Sequence, residues 1–190
     1  MAPTIVLITG ANRGIGKGIL EIYLQKPNHT VIAANRDPNH PTSKSLDDLP
    51  TAEGTSLHVV KIEATSPTDS ADAVKELVAV KGIDHIDILI ANAGMALGFP
   101  TVEEVQADYI QKHVDVNIYG FLCLYQAFIL LLKKANDPKW ITIGSSAAFL
   151  TVRTLVIFKY AEIIKSLIFG TYNYLPIRNA AYAPTKLVQH

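Results

Sequence analysis

A single cysteine, Cys123, stands in a chain of 190 residues, so no internal disulfide can form, and the composition fits a reducing, cytoplasmic compartment. Neither sign of charge is in surplus. The 17 Lys and Arg are matched by 17 Asp and Glu, which leaves nothing for a nucleic-acid footprint or an acidic tail. The histidines His29, His40, His58, His85, His113 and His190 lack metal-ligand spacing, so they read as surface or structural residues and no metal is expected. No basic segment leads into an apolar one at the start, so a signal peptide is not expected. The longest apolar run, Ile118 to Leu132, contains Gln126 and is shorter than the roughly 20 residues of a membrane span. A buried helix, and no membrane partner, is the expectation.

What the chain has is apolar content, 49% of residues, enough for the core of one domain over residues 1–190. It also has a glycine-rich stretch, Thr9-Gly10-Ala11-Asn12-Arg13-Gly14-Ile15-Gly16. The run Ile5 to Ile8 before it reads as a buried parallel strand, and Ile15, Ile19, Ile22 and Tyr23 after it fall at helical spacing. A glycine turn between a strand and a helix lets the backbone approach a ligand, and the new helix points unpaired N–H groups at an anion. A pyrophosphate is the expected guest. The spacing differs from the common dinucleotide fingerprint, and an ordinary glycine-rich turn is the bland alternative.

Further strands are expected at Thr30–Ala34, Leu57–Ile62, Ile86–Ala91 and Trp140–Ile143. Residues 38–54 read as a loop with one helical turn around Ser43–Leu49. Ser66-Pro67-Thr68-Asp69 reads as a helix start with the proline at the first helical position, followed by an apolar face of Ala73, Val74, Leu77 and Val78. Two more helices are expected. One covers Thr101–His113, with Val102, Val105 and Ile110 on one side. The other covers about Val114–Ala135, with Ile118, Phe121, Leu122, Tyr125, Phe128, Ile129 and Leu132 as its apolar face. Alternating strands and helices imply an α/β fold with a parallel sheet.

Chemistry gathers at the strand ends. The end of the second strand faces the adenosine ribose in dinucleotide folds, where an acid would take the 2′-hydroxyl of NAD. Here Asn35 and Arg36 stand there, with Arg13 in the glycine turn, and two guanidiniums favour a 2′-phosphate, hence NADP over NAD. Asp37 complicates this one residue further on, and either arginine could instead be a solvated surface charge. Glu63-Ala64 end the third strand at the adenine edge, and Asn92-Ala93-Gly94 form a small turn suited to a cofactor wall. Ser146 lies just past the fifth strand. Tyr182 and Lys186 share a helix face, where the ammonium lowers the phenol pKa and makes a proton donor or acceptor near neutral pH.

In this order, the glycine turn, Asn92-Ala93-Gly94, Asn117, Ser145-Ser146 and Tyr182 to Lys186 resemble the motifs of the short-chain dehydrogenase/reductase family. In overall texture the chain is similar to fungal ketoreductases of the norsolorinic-acid type. The resemblance implies a Rossmann-like, doubly wound parallel sheet of order 3-2-1-4-5, and Tyr182 as acid/base, tuned by Lys186, which also holds the nicotinamide ribose. It implies that Ser146 binds the substrate carbonyl and that Asn117 supports a water relay to Lys186. It also implies cofactor contacts from Gly10, Asn12, Arg13, Gly14, Ile15, Gly16, Arg36, Glu63, Asn92, Ala93, Gly94, Tyr182 and Lys186. A small carbonyl or alcohol is the implied substrate, and a homo-oligomer is implied for the full-length family form.

Two features depart from the family. Ser146 and Tyr182 are 36 positions apart, against little more than a dozen in the family, and the excess lies in the apolar stretch Val152–Tyr172. That stretch reads as a helix foreign to the ancestral enzyme, from a retained intron or a gene-model error; a transcript skipping residues 152–172 would support this. The sequence also ends at His190, before the family's last strands and substrate loop, so the sheet is expected to lack them. Two rivals to the working enzyme therefore stay open: a nucleotide-binding remnant without turnover, and an interaction module built on the 118–132 and 155–169 apolar faces.

Overall fold

The computed structural model of the protein describes residues 2–98, 100 and 103–144. Five parallel strands form one sheet in the order β3-β2-β1-β4-β5, the expected doubly wound order. They are β1 (Thr4–Thr9), β2 (His29–Asn35), β3 (Ser56–Lys61), β4 (Ile88–Ala91) and β5 (Lys139–Thr142), each within two residues of its expected bounds. Helix α1 (Gly14–Leu24), the short α2 (Pro41–Lys44), α3 (Asp69–Ala79), α4 (Ala107–Val114) and α5 (Gly120–Leu132) intervene, with a π-helical turn at Asp115–Tyr119.

Residues up to Gly94, with Asp115–Ile143, form one compact unit that contains the whole sheet. Its strands alternate two apolar faces, as a sheet covered on both sides requires. Ile5, Leu7, Ile32, Leu89 and Ala91 point to the side of Leu77 from α3 and Leu124, Phe128, Leu131 and Leu132 from α5. Val6, Ile8, Val31, Ala33 and Ile90 point to the side of Leu20 and Leu24 from α1 and Leu46 from the loop after β2. β1 pairs with β2 on one side and β4 on the other, so the chain reverses its direction of winding between β1 and β4. In doubly wound sheets that reversal opens a crevice at the carboxyl ends of the strands.

The helices correct several expectations. In α1 the buried positions are Gly16, Leu20 and Leu24, while Ile15 and Ile22 are 65% and 62% exposed. Gly16 must face the turn that precedes it, and this fixes the rotation of the helix. α3 begins at Asp69, not at Pro67, because the side chains of Ser66 and Asp69 build a turn ahead of it. Ser66 Oγ donates to Asp69 Oδ1 (2.6 Å) and accepts from the Asp69 N–H (3.2 Å). Asp69 Oδ2 then accepts from the Glu63 N–H at the end of β3 (2.9 Å). The helical turn after β2 lies at Pro41–Lys44, slightly before the expected Ser43–Leu49, with Pro41 at its first position and His40 as its cap. In α5 the buried residues are Gly120, Leu124, Phe128, Leu131 and Leu132, and Leu122 and Tyr125 are exposed. The π-helical turn ahead of α5 widens the backbone and rotates the face that follows. Trp140 of β5 then sits edge-on to Phe121 and Tyr125, with centroids 5.5 and 5.1 Å away.

α4 belongs to a second unit and starts at Ala107, six residues later than expected. Ile110 is exposed and His113 is the buried residue; its Nδ1 donates to the Tyr109 carbonyl (2.7 Å) and its Nε2 accepts from the Leu97 N–H (3.2 Å). Val102 and the stretch Val152–Tyr172 lie outside the described residues. By length and composition alone, the helical stretch Ala107–Leu132 is long and apolar enough to cross a membrane.

Partial burial pushes Asp69 up, but the hydrogen bonds from Ser66 and the Glu63 N–H, with Lys61 3.2 Å away, outweigh it and hold the carboxyl below the usual carboxylate value. A depressed carboxylate stabilises the fold above its unfolded pKa, and this contribution fades as pH falls through the folded value. Urea unfolding followed downward from about pH 5 should therefore show wild type losing stability more steeply than Asp69→Asn below about pH 4. Parallel curves would contradict the role given to Asp69.

Candidate functional site

The carboxyl end of β1 leaves the sheet through a turn that only glycine can make. Gly10 and Gly14 have φ of 64° and 56°, the left-handed region. A Cβ on Gly16 would lie 2.3 Å from the Gly10 carbonyl oxygen and 2.5 Å from Asn92 Nδ2. A Cβ on Gly14 would meet nothing within 4 Å. Packing thus demands Gly16, whereas backbone conformation demands Gly14 and the space beside it is open.

Hydrogen bonds from both neighbouring strand ends hold the turn. Gly10 N–H donates to the Ala34 carbonyl (2.8 Å), and Ala11 N–H donates to Asn35 Oδ1 (3.0 Å). From the β4 side, Asn92 Nδ2 donates to the carbonyls of Thr9 (2.8 Å) and Gly10 (3.3 Å). The buried Thr9 hydroxyl oxygen accepts in return from the N–H groups of Asn92 (3.0 Å) and Ala93 (2.9 Å). Thr9 and Asn92 therefore lock β1 and β4 together where the crevice opens.

Helix α1 starts facing this turn. Its N-cap, Arg13, is extended and makes no side-chain cap, and no acidic residue lies in the first turn. The first N–H groups of a helix have no partner inside it and carry the positive end of its dipole. An anion is the natural guest there, beside the open face of Gly14. Arg13 and Ile15 are exposed at the same place. Asn12 Nδ2 donates to Thr42 Oγ1 (2.7 Å) and so ties the loop after β2 to the glycine turn.

At the end of β2, Asn35 is fully buried, and its Nδ2 is a buried donor with no partner among the described residues. Arg36 next to it is exposed, its Nε 3.6 Å from Glu63 Oε2 across the gap to β3. Asp37 is occupied locally, its Oδ1 accepting from the Asn39 N–H (2.8 Å). On the other side of the glycine turn lies an apolar slot lined by Ile62, Ala64, Ala91, Ala93, Val116 and Gly120 among others. A Cβ on Gly120 would lie 2.6 Å from the Ala64 carbonyl oxygen, so this helical glycine lets α5 close on the slot. Asn117 is buried in the adjoining π-helical turn, a distortion that often marks functional positions. An uncapped helix start for phosphates and a cation at the end of β2 fit parts of a dinucleotide.

The structure places Gly10, Asn12, Arg13, Gly14, Ile15, Gly16, Arg36, Glu63, Asn92, Ala93 and Gly94 around the carboxyl ends of β1 to β4, with Asn117 beside the slot. Ser146, Tyr182 and Lys186 lie outside the described residues. Sequence reasoning missed three contributors. The Thr9 hydroxyl and the Asn35 side chain act through contacts that no spacing reveals. Gly120 did carry a signal, since glycine inside a helix usually has a packing reason.

A model of the short chain dehydrogenase family matches residues 4–160. Short-chain dehydrogenase srdF of Neurospora crassa is 44% identical over 145 residues, 76% of this chain and 57% of that protein. Norsolorinic acid ketoreductase nor1 of Dothistroma septosporum is 41% identical over 150 residues, 78% of this chain and 56% of that protein. The chain thus spans a little over half the length of these relatives. Among solved structures, the NADPH-bound carbonyl reductase from chicken fatty liver superposes with a TM-score of 0.74 at 26% identity, covering 98% of this chain and 69% of that one.

Thr9→Val removes the acceptor of two partly buried N–H groups at one stroke. The Asn92 N–H keeps the Ile90 carbonyl (3.0 Å), so chemical denaturation should show a loss of about 1–3 kcal/mol for the one N–H left unsatisfied, that of Ala93, with Thr9→Ser close to wild type. Equal loss in both variants would mean that the threonine methyl, not the hydroxyl, matters.

Proposed function

The chain belongs to the short-chain dehydrogenase family, and from that premise we propose that the full-length protein is a cytoplasmic, NADP(H)-dependent carbonyl reductase or alcohol dehydrogenase. Its substrate is a ketone or the matching secondary alcohol. The observation that carries this is the glycine turn itself, held from both sides and opening onto an uncapped helix start with free space beside Gly14. The bound nicotinamide nucleotide supplies or accepts the hydride. The names of the fungal relatives and the NADPH held by the chicken enzyme support the same class of reaction.

Each part of the chain has a task. The α1 amides and Arg13 hold the pyrophosphate. At the end of β2 an aspartate could also accept the Ala11 N–H, but its buried charge would oppose a 2′-phosphate. Asn35 keeps that acceptor without the charge, and Arg36 adds an exposed cation beside it. The stranded Nδ2 of Asn35 is the consequence of this neutrality. Ser146 orients the substrate carbonyl, and Tyr182, its phenol acidified by Lys186 four positions on, gives a proton to the oxygen as the alkoxide develops. Asn117 connects Lys186 to water. Position and electrostatics are what the protein contributes.

Tyr182→Phe should lower kcat for ketone reduction by about 100- to 10,000-fold, the usual contribution of a general acid, with a far smaller loss of NADPH affinity from the missing hydroxyl contact. Wild-type turnover insensitive to this change would remove Tyr182 from the chemistry. Nucleotide binding with no wild-type turnover would favour the non-catalytic remnant, which the 36-residue separation of Ser146 and Tyr182 supports.

A further inference from the structure

Arg36 and Glu63 stand at adjacent strand ends, brought level by the pairing of Asn35 with Lys61 and by the hydrogen bond from the Ile62 N–H to the Asn35 carbonyl (2.9 Å). Their side chains differ in freedom: Glu63 is 27% exposed and Arg36 75%. Glu63 is held at three points. Its N–H donates to Asp69 Oδ2 (2.9 Å), its Oε1 accepts from the Thr65 N–H (3.4 Å), and its Oε2 faces Arg36 Nε at 3.6 Å. The contact is therefore made on the Nε edge of the guanidinium. That edge is one side of the fork; the two terminal nitrogens form the other, which matches a phosphate in bidentate fashion.

We propose that Glu63 is a positioning residue: its carboxylate draws the Nε edge of Arg36 by an ion pair, which leaves the terminal nitrogens to the 2′-phosphate of NADP(H). This rests on the NADP(H) reading above and adds a determinant of cofactor choice that does not itself touch the phosphate. Two effects of Glu63 oppose each other. Its negative charge repels a phosphate, but the phosphate lies beyond the guanidinium, in water, where repulsion is screened. An exposed arginine, in contrast, loses substantial side-chain entropy when a ligand must immobilise it, and Glu63 makes part of that ordering precede binding. Ordering prevails, and NADPH gains over NADH, which lacks the phosphate.

The test is a double-mutant cycle on the full-length protein, with NADPH and NADH affinities measured by calorimetry for wild type, Glu63→Ala, Arg36→Ala and the double variant. Glu63→Ala should weaken NADPH by about three- to fivefold more than it weakens NADH, the range an exposed ion pair supports; any adenine contact that Glu63 makes is common to both nucleotides. In the Arg36→Ala background the same change should affect both nucleotides alike. Glu63→Gln, which keeps the shape but removes the charge of the ion pair, should lose as much as Glu63→Ala. Unchanged or tighter NADPH binding in Glu63→Ala would overturn the proposal, as would equal weakening of both nucleotides or an undiminished effect without Arg36. Wild type that prefers NADH or binds neither nucleotide would overturn the NADP(H) reading as well. Wild type that prefers NADPH with an inert Glu63 would overturn the positioning role alone.

Discussion

Among the described glycines, the one most tightly hemmed in is Gly16, at the gap between the Gly10 carbonyl oxygen and the first turn of α1. A Cβ at position 16 would sit 2.3 Å from that oxygen, well inside van der Waals contact with backbone that cannot retreat. Much of the site follows from this constraint. The helix must present Gly16 to the turn, so its buried stripe runs Gly16, Leu20, Leu24, and its first amides face outward at the carboxyl edge of the sheet. The turn in turn needs its own carbonyls and N–H groups satisfied. Asn92 from β4 and Asn35 from β2 do this, one as donor and one as acceptor. Strand order then matters for chemistry: only because β1 lies between β2 and β4 can both asparagines reach the same turn.

This arrangement separates two demands that the end of β2 must meet together. The Ala11 N–H needs an acceptor, and the proposed 2′-phosphate needs the absence of negative charge. A buried asparagine meets both and leaves one donor unsatisfied, the kind of local imperfection that tends to sit where function outweighs stability. Arg36 and Glu63, a residue further along their strands, extend the same logic into solvent, where charge is weak and geometry decides more.

The sheet was legible in the sequence because its signals are local and strong. Runs such as Ile5–Ile8 and Thr30–Ala34 have to be buried on two faces, and the glycine turn has to follow β1. The helices were less legible for identifiable reasons. The apolar residues Ile15 and Ile22 suggested a face for α1 that the Gly16 contact overrides. The Ser66–Asp69 pair spent its polar atoms on a turn and on Glu63, which delayed the helix that Pro67 seemed to open. The π-helical turn at Asp115–Tyr119 leaves no mark in hydrophobic spacing except the change of register it causes in α5. In the site, the glycines and Asn92 announced themselves by type and order. Thr9, Asn35 and Gly120 act through tertiary contacts that exist only once β1, β2, β4 and α5 are assembled.

The central claim is that the turn after β1 is a preformed cradle for the phosphates of a nicotinamide dinucleotide. Residue-resolved amide hydrogen exchange on the full-length protein, with and without saturating NADPH, tests it most directly. The geometry predicts slowing concentrated at residues 12–16, at the uncapped start of α1, with little change at Gly10 and Ala11, which already donate to Ala34 and Asn35. Unchanged exchange across residues 12–16 at saturating nucleotide would contradict it.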